Sequence, residues 1–84
     1  MPYLVTFDVE LAHYDTGRER TRKFTVQFDS EEAFDEAEQR DYMWDDLIPR
    51  IDAVLTAKGV KEHVDGAIEI EEVGVVGVTP DFVY

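Results

Sequence analysis

The chain has 84 residues, with twenty Asp and Glu against eight Lys and Arg, for a formal charge of −12 at pH 7. A chain of this length holds one domain at most, which excludes a multidomain enzyme. Size scaling gives a folded surface of about 5,100 Å², or one acid per roughly 260 Å². Such a surface repels phosphate, so direct nucleic-acid binding and docking on an anionic membrane are both disfavoured.

Hydrophobic residues make up 44% of the chain, with five Phe, four Tyr and one Trp. That is enough apolar material for a core, unlike a disordered acidic tail. There is no Cys, which rules out disulfides, thiolate zinc sites, iron–sulfur ligation and a Cys nucleophile. Met1-Pro2-Tyr3-Leu4 lacks the basic and apolar regions of a signal peptide, and no apolar stretch approaches the ~18 residues of a membrane span. The expectation is a soluble, cytoplasmic protein without membrane contact.

Residues 3–11 alternate strictly, with Tyr3, Val5, Phe7, Val9 and Leu11 on one face and Leu4, Thr6, Asp8 and Glu10 on the other, as a half-buried strand does. Phe24, Val26 and Phe28 continue the pattern against Thr21, Lys23, Thr25 and Gln27, and Asp15-Thr16-Gly17 supplies turn chemistry between the two runs. A two-residue turn at Thr16-Gly17 pairs Phe7 with Val26, Val9 with Phe24 and Glu10 with Lys23. A four-residue turn shifts this pairing by two and keeps the apolar faces matched.

Asp29 and Ser30 followed by Glu31 and Glu32 form a helix start, because a side-chain oxygen can accept from the first amides and acids suit the positive end. At ~100° per residue, Ala33, Phe34, Ala37, Trp44, Leu47, Ile48, Ile51 and Leu55 gather into one stripe, and Gly59 provides the stop. The spacing predicts a helical region over about residues 30–58. Pro49 calls either for a kink or for a second helix capped by Asp45 or Asp46, and with Asp41 in mid-stripe a break is expected between Arg40 and Ile48.

Asp65-Gly66 reads as a turn, and the Val- and Ile-rich residues 67–78 as another strand, with a bulge or short turn where the phase changes between Glu71 and Val73. Phe82-Val83-Tyr84 adds a short edge strand or places aromatics on the core. The expected fold class is α+β, ββαβ(β): an antiparallel sheet made of the N-terminal hairpin plus a C-terminal strand or hairpin, with one long or broken helix packed on one face. The expected core is Tyr3, Val5, Phe7, Val9, Phe24, Val26, Phe28, Phe34, Trp44, Ile48, Ile51, Leu55, Ile68 and Ile70.

Charge is unevenly distributed. Residues 1–17 carry −3, residues 18–28 carry +3, residues 29–52 carry −8 and residues 53–84 carry −4. Glu31, Glu32, Asp35, Glu38, Asp45, Asp46 and Asp52 fall within a helical sector of roughly 140° opposite the apolar stripe. Such a face can imitate a phosphate track at about half the linear charge density of duplex DNA, which carries one charge per ~1.7 Å. The expected partner is therefore a basic, nucleic-acid-binding protein, captured by electrostatic steering. This describes a stoichiometric inhibitor or decoy of the phage anti-defence or immunity type. The alternative is an acid-rich domain or accessory subunit from a halophile, whose charge serves solubility.

Arg18, Arg20, Arg22 and Lys23 make a compact positive tip. They neutralise hairpin acids or helix acids, or they form a secondary contact, including one with a second copy in a homodimer. His13 with Asp15 and His63 with Asp65 match no metal signature, and no glycine-rich phosphate loop or nucleophile elbow occurs. No catalytic residue, metal or cofactor is expected, since paired carboxylates need an enclosing pocket to become an acid and a base.

Overall fold

The computed structural model describes all 84 residues. In chain order it contains strand β1 (Tyr3–His13), strand β2 (Glu19–Phe28), helix α1 (Glu31–Glu38), helix α2 (Tyr42–Ala57), strand β3 (Glu62–Val73) and a two-residue strand β4 (Phe82–Val83). The four strands form one sheet in the order β3-β1-β2-β4, and both helices pack on one of its faces. The fold is α+β, as its alternating and helical periods imply. Its smallest dimension is 19 Å, the thickness of two layers of secondary structure.

The β1–β2 hairpin uses the longer turn. Phe7 pairs with Phe24, Val5 with Val26 and Asp8 with Lys23, two residues away from the register of a two-residue turn. His13 and Arg18 close the loop: His13 N donates to the Arg18 carbonyl at 2.9 Å, and Gly17 N donates to the His13 carbonyl at 3.0 Å. The His13 ring stiffens it further by accepting at Nδ1 from the Asp15 amide at 3.1 Å. Parity is kept, so the apolar faces still coincide.

The helical region breaks at residues 39–41, starting one residue before the expected window. The break lets exposed Asp41 leave the apolar stripe, where an unpartnered carboxylate is costly. It also resets the phase of α2. The buried row becomes Met43, Leu47, Ile51 and Leu55, one i,i+4 ridge laid along the sheet, while Trp44 and Ile48 are only half-buried. Neither Asp45 nor Asp46 caps the second helix, which begins with Asp41 at its N-cap and carries Pro49 inside. At α1 the expected cap forms, with Ser30 Oγ accepting from Ala33 N at 3.1 Å.

β3 begins five residues earlier than the sequence pattern implies. Asp65-Gly66 is not a turn but part of a bulge in β3, lying between the pairs Leu11–Val64 and Val9–Ile68. The Glu10 carboxylate reaches across and accepts from Ala67 N at 3.2 Å, filling the place a hairpin turn would take. A second irregularity falls between the Phe7–Ile70 and Thr6–Glu72 pairs, where the phase change after Glu71 required it. Ile68 and Ile70 sit on an edge strand and remain half-buried, as does Tyr3 at the start of β1. Residues 74–81 then carry the chain to the far edge of the sheet, where β4 pairs parallel with β2. The sheet is therefore mixed rather than purely antiparallel. Tyr84 tucks in, its ring 5.1 Å from that of Phe28.

Two glycines have distinct physical roles. Gly59 (φ 72°) ends α2 with a paired C-cap, in which Val60 N donates to the Leu55 carbonyl and Gly59 N to the Thr56 carbonyl, both at 3.0 Å. A Cβ there meets open space, whereas at Gly66 (φ 113°) it would stand 2.8 Å from Glu10 Oε2. Gly59→Ala should therefore cost about 1–2 kcal/mol from backbone strain alone. Gly66→Ala should cost more, because it also displaces the carboxylate that holds the bulge. Paired urea titrations check this order, and equal midpoints for the two variants would contradict it.

Candidate protein-binding surface

α1 is eight residues long and buries Phe34 and Ala37 against the sheet. Its other side chains include Glu31, Glu32, Asp35, Glu36 and Glu38, all exposed. Glu31 and Glu32 lie in the first turn, where the helix dipole favours them. Asp35, Glu36 and Glu38 gain nothing there, and the last turn holds no basic residue. Like charges recur at Glu31/Asp35, Glu32/Glu36 and Asp35/Glu38, spacings that each cost a few tenths of a kcal/mol. The helix is thus held by its cap and its two buried side chains, against its own charge.

The break divides the expected acidic track. Beyond it, Asp45 in the first turn of α2 is exposed without an ion pair, but Asp46 and Asp52 are half-buried and engaged within the fold. Asp46 Oδ2 lies 3.7 Å from Arg50 Nε and faces the Tyr84 phenol, whose pKa is raised by burial first and by Asp46 next. Asp52 Oδ1 accepts from the Val64 amide at 2.9 Å, tying α2 to β3. Asp52 therefore joins two elements of the fold through its side-chain carboxylate.

The positive tip is also divided. Arg20 makes a two-pronged pair with buried Glu62, Nε to Oε2 at 2.7 Å and NH2 to Oε1 at 2.6 Å. Lys23 lies on the opposite face of β2, 3.2 Å from Asp8 and 3.1 Å from Glu71. The Arg22 guanidinium stands 4.9 Å from the centre of the Phe24 ring, and Arg18 is exposed without an ion pair. With Lys58–Asp81 and Arg50–Asp46, the molecule has ion pairs at five places, and none includes an α1 carboxylate.

Sequence periodicity does not disclose a second acidic surface on the sheet face opposite the helices. There Asp8, Glu10 and Glu69 border one shallow depression with Thr21 and Ala67. Nearby, the Glu19 carboxyl is held above the usual range by a hydrogen bond and charge repulsion from Asp65, then by burial and Glu10. The available signal was the alternation of Glu69 and Glu71 against Ile68 and Ile70, but it does not say which strand lies beside them. The histidines do not pair with their neighbouring acids. The His63 ring lies 5.0 Å from the Tyr14 ring and its Nδ1 is 3.0 Å from the Val64 carbonyl. No three His, Asp or Glu side chains converge closely enough to hold a metal ion, and no helix is long and apolar enough to cross a membrane.

Comparison with protein-family profiles, curated proteins and solved structures finds no significant match for this chain.

The Glu62–Arg20 pair makes stability depend on pH. Hydrogen bonding to Arg20 lowers the Glu62 pKa against the opposing effect of burial, and the Arg20 pKa rises in step. A carboxyl whose folded pKa lies below its unfolded value contributes stability above the unfolded value and loses it as pH falls through the folded one. Glu62→Gln should therefore lower the Tm at neutral pH, with the gap from the parent closing as pH drops below the ordinary glutamate range. Thermal melts from pH 7 to pH 3 check this, and a constant gap would contradict it.

Proposed function

We propose that this protein is a non-enzymatic acidic binding protein that acts by stoichiometric occupation of the basic surface of a nucleic-acid-handling protein. The observation that carries this reading is the row of five α1 carboxylates, exposed and free of ion pairs. Half of the chain's basic residues are paired with acids elsewhere, in β1, β3, α2 and the segment before β4. The α1 carboxylates and Asp45 are therefore left without an ion-pair partner. A surface of this kind raises the encounter rate with a cationic partner and weakens as salt screens it. The internal repulsion within α1 is relieved when a partner supplies positive charge, which favours the bound state. An inhibitor or decoy of the anti-defence or immunity type fits this physics.

The test is charge reversal restricted to free carboxylates: Glu32→Lys, Asp35→Lys, Glu38→Lys and Asp45→Lys together. Asp46 and Asp52 are left alone because they hold Arg50 and Val64. Nucleic-acid-binding proteins retained by the immobilised parent should be released by duplex DNA and by rising salt. Retention should fall at least tenfold in the reversed variant, while Glu69→Lys on the sheet face should leave it within twofold. Retention indifferent to DNA or to the α1 reversals would sink the reading.

The acidic sheet face favours a second reading. Acids spread over both faces of a two-layer protein are what a salt-rich cytoplasm selects for solubility, and this fits an acid-rich domain or accessory subunit from a halophile. In that case the chain should lose cooperative unfolding in dilute buffer and regain it in molar potassium chloride. A sharp thermal transition in dilute buffer, followed by circular dichroism, would count against it.

A further inference from the structure

Residues 74–81 leave β3 at the end of the sheet where α1 begins. There Tyr3, Leu4, Val75 and Val76, with Glu31 and Glu32, line a groove of about 430 Å³. Val76 is 87% exposed, and on either side of it Val73 and Val78 are each about half exposed. Of these three exposed valines, Val76 lines the groove itself, an apolar side chain that the fold leaves uncovered. The groove is lined by no Lys or Arg; its charged side chains are the two glutamates, which outnumber the single ammonium of Met1 at its edge. Val75 N donates to the Leu4 carbonyl at 3.1 Å, and the Tyr3 ring packs at a tilt against that of Phe34, their centres 5.8 Å apart, so the floor is anchored to β1 and α1.

We propose that this groove seats an apolar side chain carried on a lysine- or arginine-rich segment of the partner. This deepens the reading of α1 as a surface for a basic protein and rests on it. The charge at the rim decides the occupant. Glu31 and Glu32 attract a cationic segment, and the net charge of −12 opposes the approach of a second copy of this chain. The groove is continuous with the free carboxylates of α1, so one segment can meet both. Charge then steers the encounter, while burial of the apolar side chain sets the residence time and distinguishes this partner from any other polycation. The other apolar depression, formed by Ala53, Val54, Ala57, Phe82 and Val83, has Arg50 as its charged lining residue and does not offer that attraction.

Two synthetic peptides of equal lysine content test this, one alternating lysine with leucine and the other lysine with serine. The leucine peptide should bind at least tenfold tighter and shift the backbone amide resonances of Gly74, Val75 and Val76. Val76→Ser removes an exposed side chain and leaves the core untouched. It should reduce the tenfold advantage to threefold or less while leaving serine-peptide binding unchanged. The proposal alone is overturned if the two peptides bind equally, if the advantage survives in Val76→Ser, or if the shifts fall at Ala53 and Val83. If neither peptide binds, the reading of α1 as a cation-binding surface falls with it.

Discussion

The structure depends on burying the odd-numbered side chains of β1. Val5, Phe7, Val9 and Leu11 are fully excluded from water, on a strand that has a neighbour on both sides. Burying each such side chain contributes about 1.5–3 kcal/mol, and an 84-residue chain has few other places to gather as much. β2 adds Phe24, Val26 and Phe28 to the same face, and the Met43–Leu47–Ile51–Leu55 ridge of α2 closes over them. The edge strands and α1 are arranged around this contact.

A core built in this way places few demands on surface charge. The polar groups that the fold does bury are each partnered: Thr6 with Thr25 at 3.1 Å, and Glu62 with Arg20. Side chains that join elements, such as Asp52 to Val64 and Glu10 to Ala67, act through backbone amides. The α1 carboxylates belong to neither group. They are not needed to hold the helix, and by repulsion they weaken it. An unpaired, mutually repelling row of five carboxylates on one short helix is the physical basis for reading α1 as a contact surface. The apolar groove at its first turn gives that surface a feature that charge alone lacks.

Local signals in the chain were legible where a single segment carries its own instruction. The alternation of Tyr3 through Leu11 and of Phe24 through Phe28 marked both hairpin strands and the face each one buries. Ser30 with Glu31 and Glu32 marked the start of α1, and Gly59 the end of α2. Asp41 in an apolar stripe marked the break. Asp65-Gly66 misled because a bulge and a turn both favour glycine at positive φ, and only the Glu10 carboxylate on the neighbouring strand makes the bulge the better choice. Trp44 reads as core only if one apolar stripe runs through both helices, and the interruption at residues 39–41 rotates everything beyond it.

The sequence by itself determined the α+β class, the two-residue period of β1 and β2, the apolar side of α1 and the concentration of acid between Asp29 and Asp52. These follow from spacing along one stretch of chain and from composition. Tertiary structure alone decided that β1 is central, that β4 runs parallel to β2, and that Arg20 meets Glu62 across 42 positions of sequence. It also separated the acids into those that hold the fold, Asp46, Asp52 and Glu62, and those left free on α1. The reason is that a carboxylate's role depends on which donor the strand order and register bring beside it. Donors 12 to 42 residues away, such as those of Val64 and Arg20, leave no periodic trace in the segment that holds the acid.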